Sequence, residues 1–447
     1  MPTNTLSRRI LSWLTVVAAL SVGVSAAAQE PRRLTLKEAI EQGLQHNLRV
    51  LVAGTQIEEA QGTRQRRLSA LLPLARAESY ANLQNRNLRA FGFSNPGIPD
   101  VIGPFSNYDV RAYVEQPILD LRSYRRWKAS QQQEQATRQQ FQDVRELIIR
   151  QVASLYLNAQ SADARATAAE SRVSTAQALF EMARDQRQAG VATGVDVLRA
   201  QVELANEQQR LLEARNTAQQ ARLTLARAIG LSLGAPFELA EPLEFKSLPS
   251  TDVGSALASA LERRPDYLSL LTQHQALTTE LGANKARYYP RLGFAGNIGG
   301  LGRTYSEMKT TGLMQGTVSL TLFDADRKGE RMELDSRRKR LDYQLADLRQ
   351  GIEQEIRDAL LLLESAADEV NVATQGRALA ERELAMARDR FQAGVTNNIE
   401  VISAQEALAR AQENYIFAVT RHTDAKSALA RALGGLEESY PQYLNVR

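Results

Sequence analysis

Two very long stretches without proline constrain the fold of this chain more than any other feature. They cover positions 118–235 and 291–440, and both are rich in Ala, Leu, Gln, Arg and Glu. Proline breaks the interior of a helix, whereas these five residue types favour one. A helix of ~65 residues is ~100 Å long at 1.5 Å per residue, far longer than a globular domain. The stretches therefore predict rod-like helices, and the heptad-like spacing of Ala and Leu indicates coiled-coil packing.

The chain is also a duplication. An Ala-Gly-Val turn at Gly190-Val191 recurs at Gly394-Val395, and the same offset of 204 positions relates Asp120 to Asp324. Leu72-Pro73 matches Tyr289-Pro290 at the larger offset of 217, so the first copy holds 13 additional residues between these landmarks. One repeat is assigned to residues 29–230 and the other to 252–434. A linker, 231–251, joins them, and a tail covers 435–447.

Each repeat is predicted to run helix, hairpin, long helix, tight turn, long helix. The first helix begins at a capping box formed by Thr35 and Glu38 and continues to Pro73. Its counterpart covers 252–289, with a break or kink at Pro265. The long helices are placed at about 122–189, 195–229, 325–393 and 398–433.

The hairpins carry the strongest functional signal. Strands are predicted at about 74–84, 108–117, 291–300 and 312–323, with exposed loops at 84–108 and 301–311. Apolar and polar side chains alternate along them, as in Val110, Ala112 and Val114 against Arg111 and Tyr113. Nine or ten residues of period two match a membrane β-strand. An ordinary antiparallel sheet with one wet face gives the same alternation. Four strands cannot close a barrel, so spanning strands would require several chains to share one.

The N-terminus reads as a secretory signal peptide, residues 1–28. Arg8 and Arg9 precede the apolar segment 10–24, and Ala26-Ala27-Ala28 supplies the cleavage site. An uncleaved membrane anchor is the alternative. The chain contains no cysteine, so we expect no Cys-linked lipoprotein.

Composition argues against several classes of function. There is no cysteine, and the three histidines lie far apart at His46, His274 and His422. We find no phosphate-binding loop, metal-spaced histidine cluster or nucleophile motif, so no catalytic, cofactor or metal site is predicted. Loss of Arg8 and Arg9 with the leader lowers the net charge from +4 to +2, which gives no basis for nucleic-acid binding.

Four motifs, in order and in both repeats, give the chain a family resemblance. They are Leu34–Ala39, Pro117–Asp120 with its counterpart Leu322–Asp324, Arg264-Pro265-Asp266 followed by Tyr289-Pro290, and Gln392–Val395. With them the mature chain resembles the TolC-like outer-membrane efflux proteins over essentially its whole length. The resemblance implies a mainly α fold with a membrane β-barrel part, in which a homotrimer forms one α/β barrel. Twelve strands would then cross the outer-membrane lipid and twelve helices would form a periplasmic tunnel. The linker and the tail would form an equatorial belt.

Members of that family are passive exit ducts without enzymatic activity. The resemblance therefore implies a periplasmic adaptor and an inner-membrane pump as partners, in drug efflux or type I secretion. A periplasmic coiled-coil adaptor or scaffold is the alternative function. It would explain the leader and the helical hairpins, but not four strands of barrel length in duplicate.

The resemblance also implies a gate at the helical tips. Glu400 falls on an acidic pore position, Asp196 is its counterpart, and Ser403 replaces the next inward acid. Phe391 stands where an aromatic residue is often found, but without a hydroxyl group. Arg388 and Arg390 are candidate counter-charges for Glu400.

The tips themselves would dock the adaptor, through Gly190, Val191, Gly394 and Val395. Both groups of residues have simpler explanations. Thr193 with Asp196 and Asn397 with Glu400 fit capping boxes, and the glycines fit left-handed turns.

Overall fold

A computed structural model describes residues 32–93, 95–248, 252–393, 395–396 and 398–444. The expected leader, residues 1–28, lies outside the described residues, as do Gly394 and Asn397.

The secondary structure follows the duplicated order. The helices are α1 (Leu36–His46), α2 (Leu48–Ser69), α3 (Leu121–Gln188), α4 (Gly194–Ile229), α5 (Val253–Arg263), α6 (Pro265–Lys285), α7 (Asp326–Gln392), α8 (Asn398–Leu433) and α9 (Leu436–Tyr443). The strands are β1 (Arg32–Leu34), β2 (Leu74–Asn87), β3 (Val101–Leu119), β4 (Phe237–Leu239), β5 (Arg291–Gly302) and β6 (Lys309–Ser319). Short 3₁₀ turns cover Arg89–Phe91, Ala286–Tyr288 and Tyr305–Glu307.

Helices α3 and α7 dominate the molecule, with 68 and 67 residues. Each folds back into a 36-residue partner, α4 or α8, to make a helical hairpin. Helix α3 also packs against α2, α6 and α8, so the two repeats share one layered bundle. Within the described part of the chain, none of the helices combines the length and the apolar character needed to cross a membrane.

The strands β2, β3, β5 and β6 form one antiparallel sheet in that order. Cross-strand partners place the apolar sets on one common face: Ala75, Ala77, Val110, Ala112, Val114, Leu292, Phe294, Ile298, Met314 and Val318. The opposite face is polar. There the Arg111 guanidinium donates to Asn297 at 2.6 Å and to Thr311 at 2.9 Å, which ties three strands together.

The strands differ from the predicted bounds at their ends. Pairing of β2 with β3 continues to the Asn87–Val101 pair, so the first loop shrinks from 84–108 to 88–100. The last strand was predicted at 312–323 and covers Lys309–Ser319 instead. Ser319 pairs with Arg291, where β5 begins, and residues beyond Ser319 therefore have no partner strand.

The single helix predicted from Thr35 to Pro73 is wrong. The chain is extended at Asn47, with φ −68° and ψ 123°, and this residue ends α1 and caps α2. Its side chain accepts from Arg49 N and donates to the Ala228 carbonyl at 3.1 Å. In the second repeat the break at Pro265 is confirmed, with Arg264 at φ −64° and ψ 119°. The two breaks lie 217 residues apart, the same offset that relates Pro73 to Pro290.

The segments outside the repeats pack near the middle of the long helices. Strand β4 from the linker pairs in parallel with β1, and α9 from the tail joins the same core. Leu34, Tyr156, Ile229, Leu436 and their neighbours form this largest apolar cluster.

Candidate functional site at the helical tips

The two helical hairpins end in turns that share two main-chain hydrogen bonds. In the first turn Ala189 N donates to Asp185 O at 3.0 Å, and 204 residues later Ala393 N donates to Asp389 O at 3.0 Å. Likewise, Val191 N donates to Gln186 O at 2.9 Å, and its counterpart Val395 N donates to Arg390 O at 3.1 Å. Gly190 has φ +77°, a conformation that favours glycine at a helix C-terminus. Val191 and Val395 are 67% and 70% exposed, so each tip presents an apolar side chain.

A small apolar core holds the two tips together. It consists of Leu179, Ala183, Ala200, Leu384, Ala387, Phe391, Val401 and Ala404. Phe391 is 3% exposed, and its carbonyl accepts from Gln186 Nε2 at 3.3 Å. The phenyl ring is thus a packing element between the hairpins of one chain.

Asp196 forms the expected capping box at the start of α4. Its carboxylate accepts from the Thr193 hydroxyl at 2.6 Å and from Thr193 N at 3.0 Å. These hydrogen bonds, the hydroxyl first, hold the pKa of Asp196 below its ordinary value. Arg199, one turn later, lies 3.8 Å from the same carboxylate. The prediction of a capping role for Asp196 is therefore confirmed.

Glu400 has a different set of partners. Arg390, at the end of α7, lies 2.9 Å from Glu400 Oε1, and the Thr396 hydroxyl donates to Oε2. The Glu400 side chain is 38% exposed, so it is accessible while paired. Ser403 occupies the position equivalent to Arg199 and is exposed on α8. The predicted capping role of Asn397 lies outside the described residues.

One contact between the tips has no counterpart in the sequence-based predictions. The Asn398 amide donates to the main-chain carbonyl of Asp196 at 2.7 Å, and Asn398 is fully buried. The sequence did contain a feature that could have indicated this contact: the two repeats differ here, with Asn398 at the position that Gly194 occupies in the first repeat.

The architecture defines a class of protein: a duplicated, mostly helical chain with a sheet at one end and paired hairpin tips at the other. The family model for outer membrane efflux proteins matches residues 39–231 and 256–435. The chain belongs to the outer membrane efflux protein family. The resemblance stated from the motifs, and with it the predicted fold class, is confirmed.

Individual relatives are distant in sequence but similar in fold. The probable efflux pump outer membrane protein TtgC of Pseudomonas putida is 24% identical over 296 residues, 64% of this chain and 60% of that protein. The chain therefore matches about 60% of that relative's length. Outer membrane protein OprJ of Pseudomonas aeruginosa is 27% identical over 353 residues, 74% of this chain and 70% of OprJ. The crystal structure of the outer membrane protein VceC of Vibrio cholerae superposes with a TM-score of 0.75 at 20% identity, over 90% of this chain and 96% of VceC.

Proposed function

We propose that this protein is the outer-membrane exit duct of a tripartite efflux or type I secretion system. In this proposal a leader comprising residues 1–28 is cleaved, and three mature chains assemble. Their strands form one barrel in the outer membrane, and their helices form a tunnel through the periplasm. Cargo passes from an inner-membrane pump through the duct without chemical change.

One observation carries the proposal: each chain has an apolar sheet face and its hairpin tips at opposite ends of very long helices. From the sheet, α3 covers 68 residues before its turn, which is ~100 Å at 1.5 Å per residue. A sheet with one apolar and one polar face suits a barrel wall between lipid and water. The sheet has only four strands, and open edges are not tolerated in lipid, which is why the proposal requires several chains.

The tips are assigned the docking and gating roles. Val191 and Val395, with Gly190 and Gly394 beside them, would contact a periplasmic adaptor. Glu400 would line the narrowest part of the pore, with Asp196 and Ser403 nearby, while Phe391 holds the hairpins in position from inside the tip core. Arg390 would offset the Glu400 charge in each chain.

The purified protein tests this function directly. Native mass determination in detergent should give a trimer, and the same sample should form ion-conducting channels in planar bilayers. N-terminal sequencing of the mature chain should begin at Gln29. A monomer or dimer without channel activity would contradict the exit duct, and recovery from the periplasmic fraction without detergent would favour the adaptor or scaffold.

A further inference from the structure

The linker crosses α8 at two buried basic side chains. His422 is 1% exposed and Lys426, one turn further along α8, is fully buried. The Phe245 ring lies against the His422 imidazole, with 4.6 Å between ring centroids and 58° between planes. Lys426 Nζ donates to the main-chain carbonyl of Lys246 at 3.3 Å. Both basic side chains therefore contact the same short segment of linker, residues 243–248.

These two side chains share their site without an acidic partner. In the described ranges, neither His422 nor Lys426 forms an ion pair, and His422 Nδ1 is buried without a hydrogen bond. Lys246 on the linker adds positive charge, and Glu244 beside it is exposed. Asp424, between them on α8, is partly buried and forms no ion pair with either side chain in the described ranges. Three acids on the elements packed there are engaged elsewhere: Glu369 of α7 with Arg421 at 2.8 Å, Asp163 of α3 with Arg222 at 2.9 Å, and Glu241 of the linker with Leu36 N at 2.9 Å.

We propose that this junction is an acid-sensitive latch, in which protonation of His422 releases linker residues 243–248 from α8. A second positive charge beside a buried ammonium group is unfavourable, because burial reduces its hydration and, in the described ranges, no carboxylate pairs with either side chain. Release exposes both side chains to water and removes that cost. The contacts that hold the linker to α8 at this junction are made within one chain.

The titration properties agree with the geometry. Burial, and then the charge of Lys426, lowers the pKa of His422 from 6.5 to about 4. Burial, and then Lys246, lowers the pKa of Lys426 from 10.5 to about 8, so this lysine stays charged in acid. When the segment is released, His422 returns to its ordinary pKa. As the pH falls, His422 is therefore protonated at a higher pH in the released state than in the docked state. The part of the docking free energy that depends on His422 is complete above about pH 6.5 and is lost progressively as the pH falls towards about 4, a range in which Lys426 stays charged.

The released segment has a defined beginning. Glu241 is held by the Tyr156 hydroxyl and by Leu36 N, and its carbonyl accepts from Gln160 Nε2 at 2.6 Å. Beyond it, Leu243 and Phe245 pack only partly buried against an apolar cluster that includes Val370 and Val419. Protonation therefore acts on the weakly held part of the linker and leaves the β1–β4 pairing in place.

A spin label on the linker tests the latch. The chain has no cysteine, so Ser247→Cys provides a unique attachment point at an exposed residue. We expect the label to become mobile as the pH of the detergent-solubilised protein falls from 7.5 to 4, with a midpoint between about 4 and 6.5. Circular dichroism at each pH confirms that the helices remain folded. A label of unchanged mobility over this range would overturn the proposal.

Three further variants, each carrying the label, assign the effect. His422→Gln should abolish the acid response, whereas the control His274→Gln, at a partly exposed histidine paired with Asp342, should retain it. Lys426→Met keeps His422 but removes the neighbouring charge, so its response should shrink and shift to lower pH. If His422→Gln does not fold, Lys426→Met still tests the proposal. An unaltered response in His422→Gln, or in Lys426→Met, would contradict the latch.

Discussion

Arg390 and Glu400 form an ion pair across the turn of the second hairpin, 2.9 Å apart, where the first hairpin has Gln186 and Asp196. In the first hairpin the acid is instead close to Arg199 on its own helix. The second repeat has Ser403 at that position, so the counter-charge of Glu400 comes from the preceding helix. The two tips thus achieve similar charge balance through different residues.

Because Arg390 pairs with Glu400, we expect substitution of Arg390 to change how strongly multivalent cations block the proposed channel. Arg390→Gln should leave one uncompensated carboxylate per chain near the pore and strengthen cation block several-fold, because a narrow pore lined by like charges concentrates counter-ions. Glu400→Ala should weaken the block. The measurement is single-channel recording with divalent and trivalent cations.

Arg388→Gln is the matched control, since it removes the same charge two residues away. If Glu400 serves only as a helix cap, Glu400→Ala should cost ~1 kcal/mol of helix stability and leave cation block unchanged. Equal effects of Arg388→Gln and Arg390→Gln would mean that general charge, rather than this ion pair, sets the block.

Asn398 should be the main polar link between the tips. Asn398→Ala removes the 2.7 Å hydrogen bond to the Asp196 carbonyl, which we expect to cost ~1 kcal/mol locally. Amide exchange at the start of α4 should then accelerate roughly five-fold, since 1.4 kcal/mol corresponds to ten-fold. Ser403→Ala, on an exposed position of the same helix, is the control. Unchanged protection of α4 in Asn398→Ala would show that the apolar tip core and the Gln186–Phe391 hydrogen bond hold the hairpins together without Asn398.

The long helices and the strands could be predicted because their sequence signals are either periodic patterns or the presence or absence of proline and glycine. Proline-free stretches, alternating strands and the recurring Gly-Val turn all act locally. The break at Pro265 was predicted for the same reason. Asn47 was missed because its effect depends on Ala228, 181 residues away. The sequence around an asparagine in a helical pattern does not reveal a hydrogen-bond partner so far along the chain. The only sequence feature that pointed to a break at Asn47 was its distance of 217 residues from Arg264, the offset between the two repeats.

The tip contacts divide in the same way. The Thr193–Asp196 capping box follows from spacing along one helix and was predicted. Burial of Phe391 depends on the opposing hairpin, and so does the contact of Asn398 with Asp196. The sequence pattern of a single helix does not predict which of its residues a different helical hairpin will bury.

Asn47 should therefore matter more than its place in a short connection suggests. Asn47→Ala removes the cap of α2 and the hydrogen bond to Ala228, for a combined cost of about 2 kcal/mol. Thermal unfolding in detergent measures the loss. Thr55→Ala, which removes an exposed hydroxyl from α2 itself, should change stability little. Equal stability of the two variants would mean that α1 and α2 are positioned by apolar packing alone.

A buried arginine should link stability to pH where the repeats meet. Arg431 of α8 lies 3.2 Å from Glu146 of α3 and also pairs with Asp143, and its side chain is 9% exposed. Burial raises the pKa of both Asp143 and Glu146 above their ordinary values, although Arg431 opposes the shift. A raised folded-state pKa means that the protonated acids favour folding. Their favourable contribution is complete at low pH and is lost as the pH rises through the folded pKa values.

Arg431→Met should consequently destabilise the protein most at neutral pH. Two carboxylates would then be buried without their counter-charge, at a cost of about 3–5 kcal/mol. Protonation of Asp143 and Glu146 removes that charge, so the thermal unfolding temperature of the variant should approach the wild-type value as the pH is lowered from 7.5 towards 4.5. Arg357→Met, which breaks an exposed pair with Glu353, should cost less than ~1 kcal/mol at either pH. A loss in Arg431→Met that is the same at both pH values would show that Arg431 contributes through packing rather than through charge.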